Sequence, residues 1–324
     1  MLKKSIITAS VFAAMAVMPS QASVIFNFDY SSNTAGVGFL DSSEGVARRA
    51  ALDTAGNMFS SMFGSYFSDS ATLDISVTST DDSTSGTLAS AGSNLVSTCP
   101  VSGGCVITEV VKTKLQTGVD ANGTDLDGSV DVNWGWDWQL DPNTPADATA
   151  NEFDFFAALF HELTHALGFS SLIDQNGVGF FNDEWSTFDT FLQDSTGEKV
   201  VTDTFFINQP VWDAASVGGT GNGLYFGGAN AVAANGGNAV EIFSPTTWVD
   251  GSSGSHIDGT PFPTDMMKYD RDFGPETRDY SPVDVGILTD IGYTRVASTS
   301  VPETGTLGLA FLGLAGLFLR RRKA

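Results

Sequence analysis

Cysteine is nearly missing from this sequence. Only Cys99 and Cys105 occur, separated by Pro100-Val101-Ser102-Gly103-Gly104. In an exported chain, so close a pair predicts one local disulfide. Basic residues are few as well: 15 Lys+Arg stand against 38 Asp+Glu, a formal net charge of −23. Such a surface repels polyphosphate and anionic lipid, which argues against nucleic acid and an anionic membrane face as partners. Removing the two end segments, with Lys3, Lys4, Arg320, Arg321, Arg322 and Lys323, leaves the remainder more acidic still. Between residues 23 and 295 no run is apolar for long enough to cross a bilayer. Histidine is the last scarcity, with three residues in the whole chain. No internal repeat is evident.

The two ends look like processing signals. Lys3 and Lys4 precede an apolar run over 6–18 and the small-residue site Ser20-Gln21-Ala22, the pattern of a secretory signal peptide over 1–22. At the other end Val301-Pro302-Glu303-Thr304-Gly305 precedes a short apolar run over 307–319 and a basic cluster. This arrangement resembles the PEP-CTERM sorting signal of Gram-negative bacteria, with Thr304 where that signal usually has proline. The Thr-Gly pair also approaches the Leu-Pro-x-Thr-Gly signal read by sortases. A plain tail anchor, oriented by its basic flank, is the remaining alternative. The resemblance implies that 296–324 are linker and sorting signal, and that an exosortase-type enzyme is the processing partner. Membrane contact is then transient and made through the tail, and the protein is exported to the surface or exterior of a Gram-negative cell.

Roughly 275 residues remain between these ends, enough for one large domain or two closely packed subdomains. Residues 24–28 alternate like a strand, 45–63 have helical spacing at Val46, Ala50, Leu52, Met58 and Met62, and 71–77 alternate again. That predicts a β-α-β opening. A turn region over 78–87, strands over 106–111 and 130–138, and a long helix over 147–169 follow, the helix capped by Thr149 and Glu152 and stopped by Gly168. Residues 214–238 are rich in Gly, Asn and Ala and read as irregular chain, and 281–291 suit a last helix. Mixed elements of this kind predict an α+β layer structure. Trp134, Trp136 and Trp138 alternate, as on one strand face, and suit core packing better than a cleft rim. Asp120, Asn122, Asp125 and Asp127 have the composition of a calcium loop without its ligand spacing, so a solvated turn is the better reading.

The chemistry is concentrated in His161-Glu162-Leu163-Thr164-His165. Residues four apart stack one turn above each other, so both imidazoles can reach one metal ion from one helix face, with Glu162 beside them as a base. The longer run through Ala166-Leu167-Gly168-Phe169 resembles the active-site helix of the metzincin zinc peptidases, in which the glycine turns the chain beneath the metal. Metzincins usually place a third histidine three residues past that glycine, and here that position is Ser171. The leishmanolysin-like branch instead brings it much later, just ahead of a methionine turn. Gly254-Ser255-His256-Ile257-Asp258, followed by Asp265-Met266-Met267, is similar to that arrangement.

The resemblance implies a metzincin-like fold, in which a twisted mixed sheet and the zinc helix precede an irregular C-terminal subdomain. It also implies zinc held by His161, His165 and His256, Glu162 as general base, and hydrolysis of protein or peptide substrates. A division of 23–295 near residue 170 would place the substrate cleft between two subdomains. Met267 is the better match to the turn methionine, and Tyr269, two residues on, resembles the tyrosine that some metzincins swing towards the metal to stabilise an oxyanion. Packing beside the turn is the plain alternative for Tyr269. Asp183 or Glu184 stands where gluzincin peptidases place a carboxylate ligand, which leaves a second ligand scheme open. Asp258 and Asp265 are candidates either to orient ligand imidazoles or to serve in turns. A zinc hydrolase of non-peptide envelope amides and a non-catalytic surface protein with a structural zinc are the competing functions.

Overall fold

The computed structural model describes residues 24–97, 99, 104–181 and 183–294. The expected signal peptide and sorting signal lie outside them. Strand β1 (Val24–Asp29), helix α1 (Gly45–Phe63) and strand β2 (Ala71–Thr80) form the β-α-β opening, with β1 and β2 parallel. The alternation of β2 puts Leu73, Ile75 and Val77 on the buried face. Gly56 lets α1 approach the sheet, since a Cβ there would stand 3.0 Å from the Phe26 ring. The strand runs on to Thr80, three residues into the expected turn region.

Strand β3 (Ala89–Ser93) comes next, then the short strands β4 (Leu95–Val96), β5 (Cys105–Val106) and β6 (Thr108–Glu109), and helix α2 (Val110–Thr117). The strand expected over 106–111 is therefore corrected. Val110 and Val111 are helical because Val110, Val111 and Leu115 all enter the core, and tertiary burial overrides β-propensity. Strand β7 (Gly128–Asn133) pairs parallel with β2 and antiparallel with β3, completing a mixed sheet of order β1-β2-β7-β3 with β3 at one edge.

The strand expected over 130–138 is interrupted. The chain turns after Asn133, and β8 (Asp137–Gln139) leaves the main sheet to pair parallel with β9 (Glu152–Asp154). The three tryptophans do not share a strand face, yet all are half-buried and pack on aromatic rings: Trp134 and Trp138 on Phe155, and Trp136 on Phe153.

Helix α3 (Phe155–Ala166) begins eight residues later than the spacing predicts. Asn151 adopts a left-handed conformation with φ 57°, and Glu152–Asp154 are extended. The Thr149/Glu152 spacing marks a local cap instead: Asp147 accepts from Thr149 N–H at 2.8 Å, and Glu152 accepts from Asp147 N–H at 3.0 Å. The true N-cap is Asp154, which accepts from Ala157 N–H at 3.1 Å. Phe155, Phe156, Leu159, Phe160 and Leu163 are each at most 1 % exposed. At about 2 kcal/mol per side chain, their burial outweighs the cap, worth about 1 kcal/mol, so α3 is a core helix before it is a capped one.

The remainder carries β10 (Glu184–Trp185), β11 (Leu192–Gln193), α4 (Gln209–Ala215), β12 (Leu224–Phe226), α5 (Ala229–Ala234), β13 (Val240–Ile242) and α6 (Pro282–Asp290). Strands β11, β12 and β13 form a small antiparallel sheet, so the segment expected to be irregular contains one strand and one helix. Ser281 and Asp284 form the capping box of α6. Leu163, Phe188, Phe226, Ile257 and Ile287 belong to one continuous core that also contains the sheet residues Ile75 and Val130. The Cys99–Cys105 disulfide is present, with a Cα–Cα distance of 5.8 Å. Among the described residues no helix is long and apolar enough to cross a membrane.

Candidate metal centre

Helix α3 fixes His161 and His165 one turn apart. Its first turn is pinned where Arg278 Nε donates to both Asp154 carboxylate oxygens, at 3.0 and 2.9 Å. Its last turn ends at Gly168, with φ 98°, where a Cβ would stand 2.5 Å from Glu109 Oε1. The left-handed φ favours glycine there, and a side chain would also push on the Glu109 carboxylate. The turn delivers the Phe169 carbonyl to His165 Nδ1 at 2.6 Å.

His256 arrives at the end of a turn segment between β13 and the methionine turn. Phe243 N–H donates to the His256 carbonyl at 2.8 Å, Ile257 N–H to the Met267 carbonyl at 2.8 Å, and Asp258 N–H to the Glu241 carbonyl at 3.0 Å. Ser171 N–H donates to Ser255 Oγ at 3.1 Å. The His256 segment thus docks on Ser171, three residues past Gly168.

The three Nε2 atoms form a triangle with edges of 3.1, 3.1 and 3.0 Å. Every Nδ1 meets a backbone carbonyl: His161 that of Met266 at 2.9 Å, His165 that of Phe169, and His256 that of Ser252 at 2.8 Å. A carbonyl only accepts, so each Nδ1 carries the proton and each Nε2 turns a lone pair to a common point. Burial, with the neighbouring histidines and Arg271, holds the His161 imidazole well below its usual pKa. Burial first also lowers His165 to about 4 and His256 to about 3, so a proton does not neutralise the cluster near pH 7. Three converging lone pairs call for another cation. Nitrogen ligands about 2.0–2.1 Å from one ion sit at this mutual spacing, and the three histidines therefore form a group that could bind a metal ion.

Glu162 lies between them in sequence and next to the sheet edge. Part of its side chain reaches the surface, yet burial pushes its carboxyl up to about 7, against the opposing pull of the Arg271 charge and the Ala91 N–H on β3. A carboxyl poised there can take and return a proton near neutral pH.

Tyr269 stands apart from this group. Its ring stacks on Phe243 at 3.6 Å, it is 41 % exposed, and no hydrogen bond joins its hydroxyl to the histidines or Glu162. Of the two methionines, Met266 touches the site, through its carbonyl on His161 and its sulfur against Arg271, while the Met267 carbonyl pairs with Ile257. Asp258 accepts from Thr260 N–H and Thr220 Oγ1, and Asp265 from Met267 N–H. Asp258 thus ties its turn to Thr220, Asp265 holds the methionine turn and meets the Asp284 carboxyl, and backbone carbonyls orient the rings instead. Glu184 turns to Ser97 beside the disulfide strand, and among the described residues the three histidines are the only group found that could hold a metal ion. In the acidic loop, Lys114 Nζ sits 3.1 Å from Asp120 and 3.0 Å from Asp127, supplying the positive charge itself. The sequence carried no sign of the Met266 and Ser252 carbonyls, the Ala91 N–H or Arg271. Only Phe169, four residues after His165, was within reach of local reasoning.

No protein-family model matches the chain, and a search of curated proteins finds no match.

Proposed function

We propose that the protein is an exported zinc-dependent endopeptidase of the metzincin type. The convergence of three Nε2 lone pairs, each fixed by a carbonyl on the opposite ring nitrogen, carries this reading. His161, His165 and His256 would hold zinc, which supplies Lewis acidity and a water acidic enough to ionise near neutral pH. Glu162 takes the proton of the attacking water on its carboxylate and returns it to the leaving amine. The Tyr269 hydroxyl, for which the described residues show no hydrogen-bond partner, is proposed to donate to the developing oxyanion.

One observation favours peptide over other amides. Strand β3 is the sheet edge, and its Ala91 N–H reaches Glu162. An extended chain paired along that edge would pass the base, a mode of recognition suited to peptides. A purely structural zinc has no use for Glu162. Digestion of an unbiased peptide library, with zinc content measured in parallel, tests the proposal. Wild type should cleave and Glu162→Ala should keep its zinc and not cleave. Cleavage by the variant at the wild-type rate would reject the mechanism.

A further inference from the structure

We propose that Arg271 is a positioning residue that makes His161 the weakest electron donor of the three histidines, so that the centre gives up part of its metal affinity. The inference rests on the reading of the three histidines as a metal site. The Arg271 side chain is 8 % exposed, and its Nη2 donates to the Met266 carbonyl, the same oxygen that accepts from His161 Nδ1 at 2.9 Å. The two nitrogens are 3.0 Å apart. Both are donors, so they cannot bond each other and instead share one acceptor. Among the described residues His165 has the Phe169 carbonyl to itself, and His256 shares the Ser252 carbonyl only with the uncharged Ser255 N–H at 3.3 Å, so only the acceptor of His161 is engaged by a cation.

A ligand imidazole becomes more basic at Nε2 when the acceptor on Nδ1 draws on its proton. A carbonyl already engaged by a guanidinium draws less, and the guanidinium field opposes further positive charge on the ring. That field is loosely compensated. The ion pair of Arg271 is with Glu276, at 3.5 Å from Nη1, and its buried Nε and Nη1 have no hydrogen-bond partner. A merely structural Arg271, bracing the methionine turn, predicts the opposite consequence for its loss, because a slack turn would loosen His161 and weaken metal binding.

Chelator competition for zinc on the full chain separates the two. Arg271→Gln, which keeps a donor for Met266 and removes the charge, should bind zinc at least about fivefold more tightly than wild type. Arg271→Lys, which keeps the charge, should stay within about twofold. Since loss of the arginine leaves Glu276 with Lys268, at 3.4 Å, as its one cationic partner among the described residues, the double variant Arg271→Gln/Glu276→Gln serves if the single one does not fold, and it should also bind more tightly. Unchanged or weaker binding in the folded glutamine variants, or equal tightening by lysine, would overturn the proposal. A wild-type chain that takes up no zinc would instead remove the metal-site reading beneath it.

Discussion

His161 and His165 share one turn of a buried helix, whereas His256 comes from a loop segment 95 residues beyond His161 in the chain. The first two are placed by backbone geometry that any helix would supply. The third is placed by a ladder between β13 and the methionine turn, by the Ser255 contact to Ser171, and by the Ser252 carbonyl. One half of the centre is therefore as rigid as α3, and the other is only as good as the packing of several loops. Loss of loop order should open the centre while leaving α3 in place.

Removing the loop-borne ligand tests this most severely. His256→Ala should lose stoichiometric zinc by elemental analysis while the far-ultraviolet circular dichroism of the apo chain stays at wild type. Loss of helical signal would mean that the two halves are not separable. Next in size is the proposed base on the helix, Glu162. Glu162→Gln should lower kcat/KM by about a thousandfold with zinc retained. Because the base must be ionised, wild-type activity should fall as the pH drops through about 7. An acid limb near 4 would put the base elsewhere.

Asp189 sharpens the loop side. It is fully buried and accepts from Leu172 N–H and Ser186 N–H, holding the turn on which the His256 segment docks. Burial raises its carboxyl from the ordinary value to about 6. A raised folded-state pKa means stability present below pH 4 and lost as the pH rises through 6, on the order of 3 kcal/mol. Asp189→Asn should therefore gain on wild type, in thermal melts of the apo chain, between pH 4 and 7. Parallel melting curves across that range would refute the assignment. The smallest expected effect is at Tyr269, where Tyr269→Phe should reduce kcat about a hundredfold with little change in KM. A kcat within about twofold of wild type would assign the ring to its stack on Phe243 alone.

Short-range pattern decided a good part of this protein. The bounds 45–63 match α1 end to end, although of the apolar positions read there only Leu52 is buried. Val46 is exposed, and the core face is completed by Ala51, Ala55, Phe59 and Phe63. The alternation over 24–28 and 71–77 marks β1 and β2, and Ser281 opens α6. The four-residue spacing of His161 and His165 put two rings on one face, and the shortage of histidine left His256 as the candidate third member of the cluster. Apart from His256, which the scarcity of histidine singled out, each of these depends on residues within a turn or two of one another. Tertiary structure decided the rest. Asn151 broke the long helix because Glu152–Asp154 found a partner in β8, and the tryptophan row split at the turn after Asn133 for the same reason. The carbonyl that orients His161 and the guanidinium that shares it lie 105 and 110 residues from that histidine in the chain. No local spacing encodes such contacts, since packing around a common core alone brings those atoms together.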